Sequence, residues 1–209
     1  MSEEQTSLAL ENAWNRALAL AWEAFRAGTT PVGAVVVAAD GSMVATGRGR
    51  RYEATGPAGE LANVHIAHAE INALAQLDTS RHWDDHRLLT TLEPCGMCHG
   101  AAVQATLGAV SFAGPDLYGG TATLSWDCPQ PSRRPLKITG PLRDSRGAFA
   151  TLLHVVWLME RGADHVVAEH SKAIPDFTDY AAVVRPKLAM AAVRNDYPAA
   201  WGLCVEAPW

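Results

Sequence analysis

Two short segments, His68-Ala69-Glu70 and Pro94-Cys95-Gly96-Met97-Cys98, carry one imidazole, two thiols and one carboxylate. That is the inventory a catalytic zinc ion needs. Zinc favours four ligands in a tetrahedron, and a catalytic site supplies three from the protein so that the fourth position can hold water. His68, Cys95 and Cys98 fill the three positions. Coordination lowers the pKa of the bound water from about 15.7 to about 7, which makes hydroxide accessible without a strong base. Glu70 is then the natural proton carrier, taking a proton from that water and delivering it to a ring nitrogen and afterwards to the departing amine. The chemistry implied is hydrolytic deamination, with one carboxylate serving both proton transfers.

The flanking residues place both motifs at helix starts. Ile66, Ala69, Ala73 and Leu77 recur at helical spacing, and Pro94 suits the first position of a helix over Gly96 to Thr106. The amino end of a helix carries partial positive charge, which favours thiolates at Cys95 and Cys98. A lone Cys-x-x-Cys also fits a redox pair or half of a structural zinc knuckle. A knuckle requires a fourth Cys or His at matching spacing, whereas Cys128 and Cys204 stand far apart. His65 could compete with His68 for the metal, or pack at the pocket mouth.

The elements around these motifs alternate. A first helix presents Leu18, Trp22 and Phe25, with a capping box over Ser2 to Gln5 and Gly28 at its end. Val32 to Ala38 is a valine-rich run suited to a strand buried on both faces. Met43 to Thr46 is its hairpin partner across Asp40-Gly41. Further strands are expected at Leu88 to Leu92, Ala109 to Ala113 and Leu136 to Thr139, and a helix of nearly all-apolar interior at Phe149 to Met159. Such alternation predicts an α/β fold, a three-layer α/β/α sandwich around a mixed sheet of about five strands.

Pro31-Val32-Gly33-Ala34-Val35-Val36-Val37, His68-Ala69-Glu70 and Thr91-Leu92-Glu93-Pro94-Cys95-Gly96-Met97-Cys98 together resemble the zinc-dependent cytidine deaminase superfamily. The nearest branch is that of tRNA adenosine deaminases, guanine deaminases and small nucleoside deaminases. The resemblance implies the same sandwich fold, one zinc ion per chain on His68, Cys95 and Cys98, Glu70 as the catalytic proton shuttle, and a homodimer. Family members often carry an Asn just after the second strand that contacts the substrate, and here Gly49 stands at that place. Asn63 is a candidate substitute and Val32 a second candidate substrate contact, although Asn63 also suits a loop-capping role. The resemblance fades near Gly162. It divides the chain into a deaminase domain over 1–162 and a helical extension over 163–209, packed on the same domain or on a neighbouring subunit. Within that extension a helix is expected over Phe177 to Val193, interrupted near Pro186.

Two loops are expected to shape the pocket. Arg50 to Val64 leads into His68 and would bring Glu60 and Asn63 near the metal. Gly114 to Pro135, with four prolines and Gly119-Gly120, is a candidate lid whose Tyr118 and Trp126 could stack on a base; Arg133-Arg134 reads as solvated surface.

The chain has 209 residues, 48% of them hydrophobic, and 17 Lys plus Arg against 22 Asp plus Glu, a formal net charge of −5. Such a balance disfavours tRNA or DNA, whose phosphates require cationic surface. A local patch of Arg48, Arg50 and Arg51 stands as the exception. A free nucleobase or nucleoside is the favoured substrate; a tRNA-editing adenosine deaminase and a non-catalytic zinc-binding interaction protein are the alternatives. No run approaches the roughly 20 apolar residues of a membrane span, and no disulfide framework is evident, so a cytoplasmic protein is expected.

Overall fold

The computed structural model describes residues 3–124 and 135–209. Five strands form one sheet in the order β2-β1-β3-β4-β5. Strand β1 (Gly33–Val37) runs antiparallel to β2 (Met43–Arg48) and to β3 (Arg87–Leu92). Strands β3, β4 (Ala109–Gly114) and β5 (Lys137–Thr139) are mutually parallel. The valine run of β1 is buried at every position, as its lack of polar alternation requires.

The alternation of side chains along the strands divides the core in two. Val35, Val37, Leu89 and Ala113 face a layer built from α1 (Glu3–Arg26) and α4 (Ser145–Glu160). Ala34, Val36, Leu88 and Val110 face α2 (Ala69–Leu74) and α3 (Gly96–Gln104). The result is the three-layer α/β/α sandwich expected from the alternation of elements.

Helix α1 buries Leu18 and Trp22, with Phe25 partly covered, and ends at Gly28 with φ of +71°. The expected capping box cannot be placed, because Ser2 lies outside the described residues. Helix α2 is shorter than the periodicity suggested: it begins after His68, and Ile66 is half exposed, outside the helix. Pro94 precedes the helix cap rather than opening the helix, since Cys95 is the N-cap of α3.

The chain continues into α5 (Asp164–Ala173), α6 (Pro175–Arg194) and α7 (Tyr197–Gly202). Helix α6 is continuous through Pro186, contrary to the expected interruption. Pro186 is exposed, so the carbonyl that loses its helical donor faces solvent, while Phe177, Ala181, Val184, Leu188 and Ala191 keep the apolar stripe unbroken. That stripe joins the α1/α4 side of the core, as do Ala200 and Cys204. The tail returns to α4, where Trp209 donates its indole N–H to the Leu142 carbonyl at 3.0 Å and meets Phe177 edge-on. Among the described residues no helix is long and apolar enough to cross a membrane.

Candidate active site

The two motifs meet where α2 and α3 begin. His68 caps α2 with extended backbone (φ −82°, ψ 154°), and Cys95 caps α3 in the same way (φ −73°, ψ 171°). Close packing of α2 on β2 fixes the first of these. A Cβ at Gly47 would lie 2.4 Å from the Ala69 carbonyl oxygen, so only glycine lets the helix start approach this strand.

His68 Nδ1 lies 3.8 Å from Cys95 Sγ and 3.5 Å from Cys98 Sγ, and the two sulfurs are 3.6 Å apart. A tetrahedral zinc at about 2.3 Å from sulfur and about 2.1 Å from imidazole nitrogen needs S···S and S···N edges of about 3.8 and 3.6 Å. The three donors therefore fit the ion as they stand. The two thiols differ in their affinity for protons. The hydrogen bond from Cys98 holds the Cys95 thiol down to about 4, with His68 adding to the effect, while Cys98, as the donor of that bond and the more deeply buried group, is pushed up. The thiolate partner in turn raises His68.

Glu70 is buried beneath these groups and accepts a hydrogen bond from the Thr90 hydroxyl at 3.1 Å. Burial pushes its carboxyl up, against the opposing pull of His68. A carboxyl of raised affinity for protons, two residues along the chain from a candidate metal ligand, is suited to carry a proton in and out of a reaction.

Above Glu70 opens a cavity of about 230 Å³. Val32, Leu92, Trp157 and Leu158 give it apolar walls, and Arg51, Glu93, Asp116 and His154 contribute polar ones. Val166 of α5 closes one side, so a helix beyond residue 162 forms part of the wall. Tyr118 lines the opening and meets His165 edge-on, with ring centroids 5.5 Å apart.

Of the residues named from sequence, His68, Glu70, Cys95 and Val32 line this cavity, and Cys98 lies buried against it. Asn63 does not line it. It sits exposed on the preceding loop with φ of +57°, its backbone N–H donated to the Arg50 carbonyl, the behaviour of a turn residue. Glu60 is also held away, in an ion pair with Arg50. The loop is pinned instead by buried Asn72, which donates to the Arg48 and Leu61 carbonyls and accepts from the Leu61 N–H. Gly49 lines the cavity, and a Cβ there would lie 2.3 Å from the Thr30 carbonyl oxygen; this backbone admits no side chain at that position. His65 is exposed and accepts a hydrogen bond from Arg51. Trp126, Cys128 and Arg133-Arg134 lie outside the described residues.

Sequence reasoning missed His154 and Asp116 in the wall. His154 was hidden in the apolar run of α4, where it and Thr151 are the polar residues between Ala148 and Leu158. A histidine in such a run was the available signal.

A sequence profile of the cytidine and deoxycytidylate deaminase zinc-binding region matches residues 8–114, half of the chain. The chain belongs to that family. Among curated proteins, tRNA(Ile)-lysidine synthase of Deinococcus radiodurans is 39% identical over 106 residues, a stretch that is 49% of this chain and 17% of that protein. The match thus spans less than a fifth of the relative. Among solved structures, one from a study of A-to-I editing by tRNA:A34 deaminases is 25% identical, covers 67% of this chain and 99% of its own, and has a TM-score of 0.53. A guanine deaminase from Nitrosomonas europaea is 25% identical, with coverage of 69% and 84% and a TM-score of 0.50.

Proposed function

We propose that this chain is a zinc-dependent hydrolase that removes an amino group from a free nucleobase or nucleoside and releases ammonia. The observation that carries the reading is a buried carboxyl, Glu70, set beside three donors already spaced for zinc, at the floor of a small cavity with apolar walls. One zinc ion held by His68, Cys95 and Cys98 would supply Lewis acidity and make water ionise near neutral pH. Thr90 fixes Oε1 of Glu70, leaving Oε2 to take a proton from the attacking water and deliver it to the ring nitrogen beside the amine, then to take the second proton from the hydroxyl now on the ring carbon and pass it to the leaving amine. Val32, Leu92 and Trp157 hold the flat ring and exclude solvent. A volume of about 230 Å³ is below the common range of about 300–1,000 Å³ for drug-sized ligands, which suits a single ring system.

A second reading, deamination of an adenosine in tRNA, is favoured by the tRNA-related names of two of the similar proteins. Against it, two of the three arginines that could form a phosphate patch are engaged. Arg48 pairs with Glu53, and Arg50 with both Glu53 and Glu60; both guanidinium side chains are largely buried. A cytoplasmic homodimer completes the proposal, with exposed Leu61, Val64, Ile66 and Met97 beside the motifs as apolar surface for the partner. Sedimentation showing monomer alone at micromolar concentration would remove the dimer.

Ammonia release from guanine, adenine, cytosine and their nucleosides, with Glu70→Ala as control, tests the main reading. Turnover of at least one ring is expected, falling on the order of 10²–10⁴-fold in the variant while zinc content holds. Silence across the panel with zinc bound, together with salt-sensitive binding and inosine formation in tRNA, would select the second reading; silence on both would leave a zinc-binding interaction protein.

A further inference from the structure

We propose that Asp116, His154 and His170 form a second metal site, on the wall of the cavity formed by the residues after β4, that takes a divalent transition ion such as zinc. The three side chains come from separate elements, the loop after β4, helix α4 and helix α5, yet one ligand atom of each lies within 4.8 Å of the others. Two imidazoles and a carboxylate are a borderline donor set suited to zinc, iron or cobalt.

Each side chain is prepared for ligation. His170, fully buried, hydrogen-bonds through Nδ1 to the Val166 carbonyl at 3.1 Å. In the neutral ring that bond places the proton on Nδ1 and leaves the lone pair on Nε2, which has no partner among the described residues. A backbone carbonyl fixing the far nitrogen is how proteins orient a ligating histidine. His154 is 5% exposed, and neither of its ring nitrogens has a partner among the described residues. Asp116 is oriented by the backbone N–H groups of Tyr118 and Gly119, both donated to Oδ1 at 3.1 and 2.9 Å.

Buried polar atoms without partners cost about 1–3 kcal/mol each, so one nitrogen of His154 and Nε2 of His170, each without a partner among the described residues and brought beside the Asp116 carboxylate, imply an occupant. Protein donors do not meet the need: the cluster offers lone pairs, which attract a cation. A tetrahedral ion with ligands at about 2.1 Å needs edges of about 3.4 Å. The donors would draw inward by about an ångström, a movement open to His154 because no hydrogen bond restrains its ring. Asp116 and His154 also line the cavity that holds His68 and Glu70. The second ion would therefore face the first across one space, and His170 would tie the helical extension to the site.

Full-length protein stripped with a chelator, reloaded with Co²⁺ and desalted, gives the test through its cobalt content and absorption spectrum. Wild type should retain two equivalents, one showing thiolate-to-cobalt charge transfer. Asp116→Asn and His154→Gln should each retain one, with the thiolate bands intact, whereas Cys95→Ser with Cys98→Ser should retain one without those bands. Asp116→Asn keeps the Oδ1 acceptor for Tyr118 and Gly119, so it reports even where the buried His154 change impairs folding. A single equivalent in wild type, or two equivalents undiminished in both single variants, would overturn the proposal and leave only solvent between these groups. The count does not depend on ammonia release, so the second site and the deaminase reading fail separately.

Discussion

The cavity has two unlike walls. On one side, residues 68–98 place their polar groups against partners: Glu70 against Thr90, the cysteines against each other and against His68, and the loop before them against Asn72. On the other, the chain after β4 brings His154 and His170 into the same region with three ring nitrogens unpartnered among the described residues. The candidate metal-ligand wall is preorganised, with donor spacings of 3.5–3.8 Å, whereas the facing wall is drawn only to within 4.8 Å. The difference shows what each part of the chain specifies. The motif segments fix chemistry through short-range caps and a strand–helix contact at Gly47. The later helices fix the shape of the enclosure through burial of apolar surface.

Removing a donor from the preorganised wall should break the comparison most completely. Cys98→Ala takes away a fully buried candidate ligand and is expected to lose the zinc of that site and, with it, measurable turnover. Metal analysis beside an ammonia assay would check this. Retention of the ion at full stoichiometry would mean that His68 and Cys95 recruit a different third donor.

The later helices should answer a probe of the opposite kind. Leu188 of α6 is fully buried in the α1/α4 side of the core. Leu188→Ala should lower the free energy of unfolding by about 2–5 kcal/mol while leaving zinc content and kcat nearly unchanged. Denaturant titration with a parallel rate measurement separates the two effects. A change confined to rate would show that these helices act on the reaction rather than on stability.

The same contrast accounts for what could be read in the sequence. Strand β1 was legible because an unbroken valine run has no other comfortable place than a sheet buried on both faces. The meeting of His68, Cys95 and Cys98 was legible because their types and spacing are those a zinc ion would require. The extent of α2 was not: Ile66 fits the helical period, yet the chain must turn out at His68 to aim its imidazole at the cysteines. Pro186 was read as a break, but one lost hydrogen bond on a solvent-facing turn does not outweigh a buried stripe from Phe177 to Ala191. Helices α5 and α7 went unread in the sequence; at ten and six residues they offer short windows in which to see a period. The Asp116, His154 and His170 cluster had no spacing to read at all, since three elements contribute one residue each.

A finer test lies within the metal-ligand wall. Thr90→Val removes the hydroxyl that orients Glu70 while keeping the side-chain shape. About a tenfold loss of kcat is expected, the worth of a hydrogen bond to a charged group of about 1.5 kcal/mol, with zinc content and KM held. An unchanged kcat would show that burial alone positions the carboxyl.

The smallest effect should come from the rim, where Arg50 pairs with Glu60 on the loop leading to His68. Both side chains are mostly covered, at 11% and 17% exposure, but Arg50 also keeps Glu53 at 2.8 Å. Glu60→Gln leaves that second partner and an amide able to accept a hydrogen bond, so the loss of stability should be about 1 kcal/mol or less. RNA affinity is the sharper readout. If the ion pairs are what keep this arginine cluster from acting as phosphate-binding surface, freeing part of Arg50 should raise binding to a tRNA by a few-fold at low salt and leave deamination of a free base unaltered. A tRNA affinity already strong and salt-sensitive in the unaltered protein would reverse the argument, since the paired arginines would then have to be recruited, or other cations used, when the polynucleotide binds.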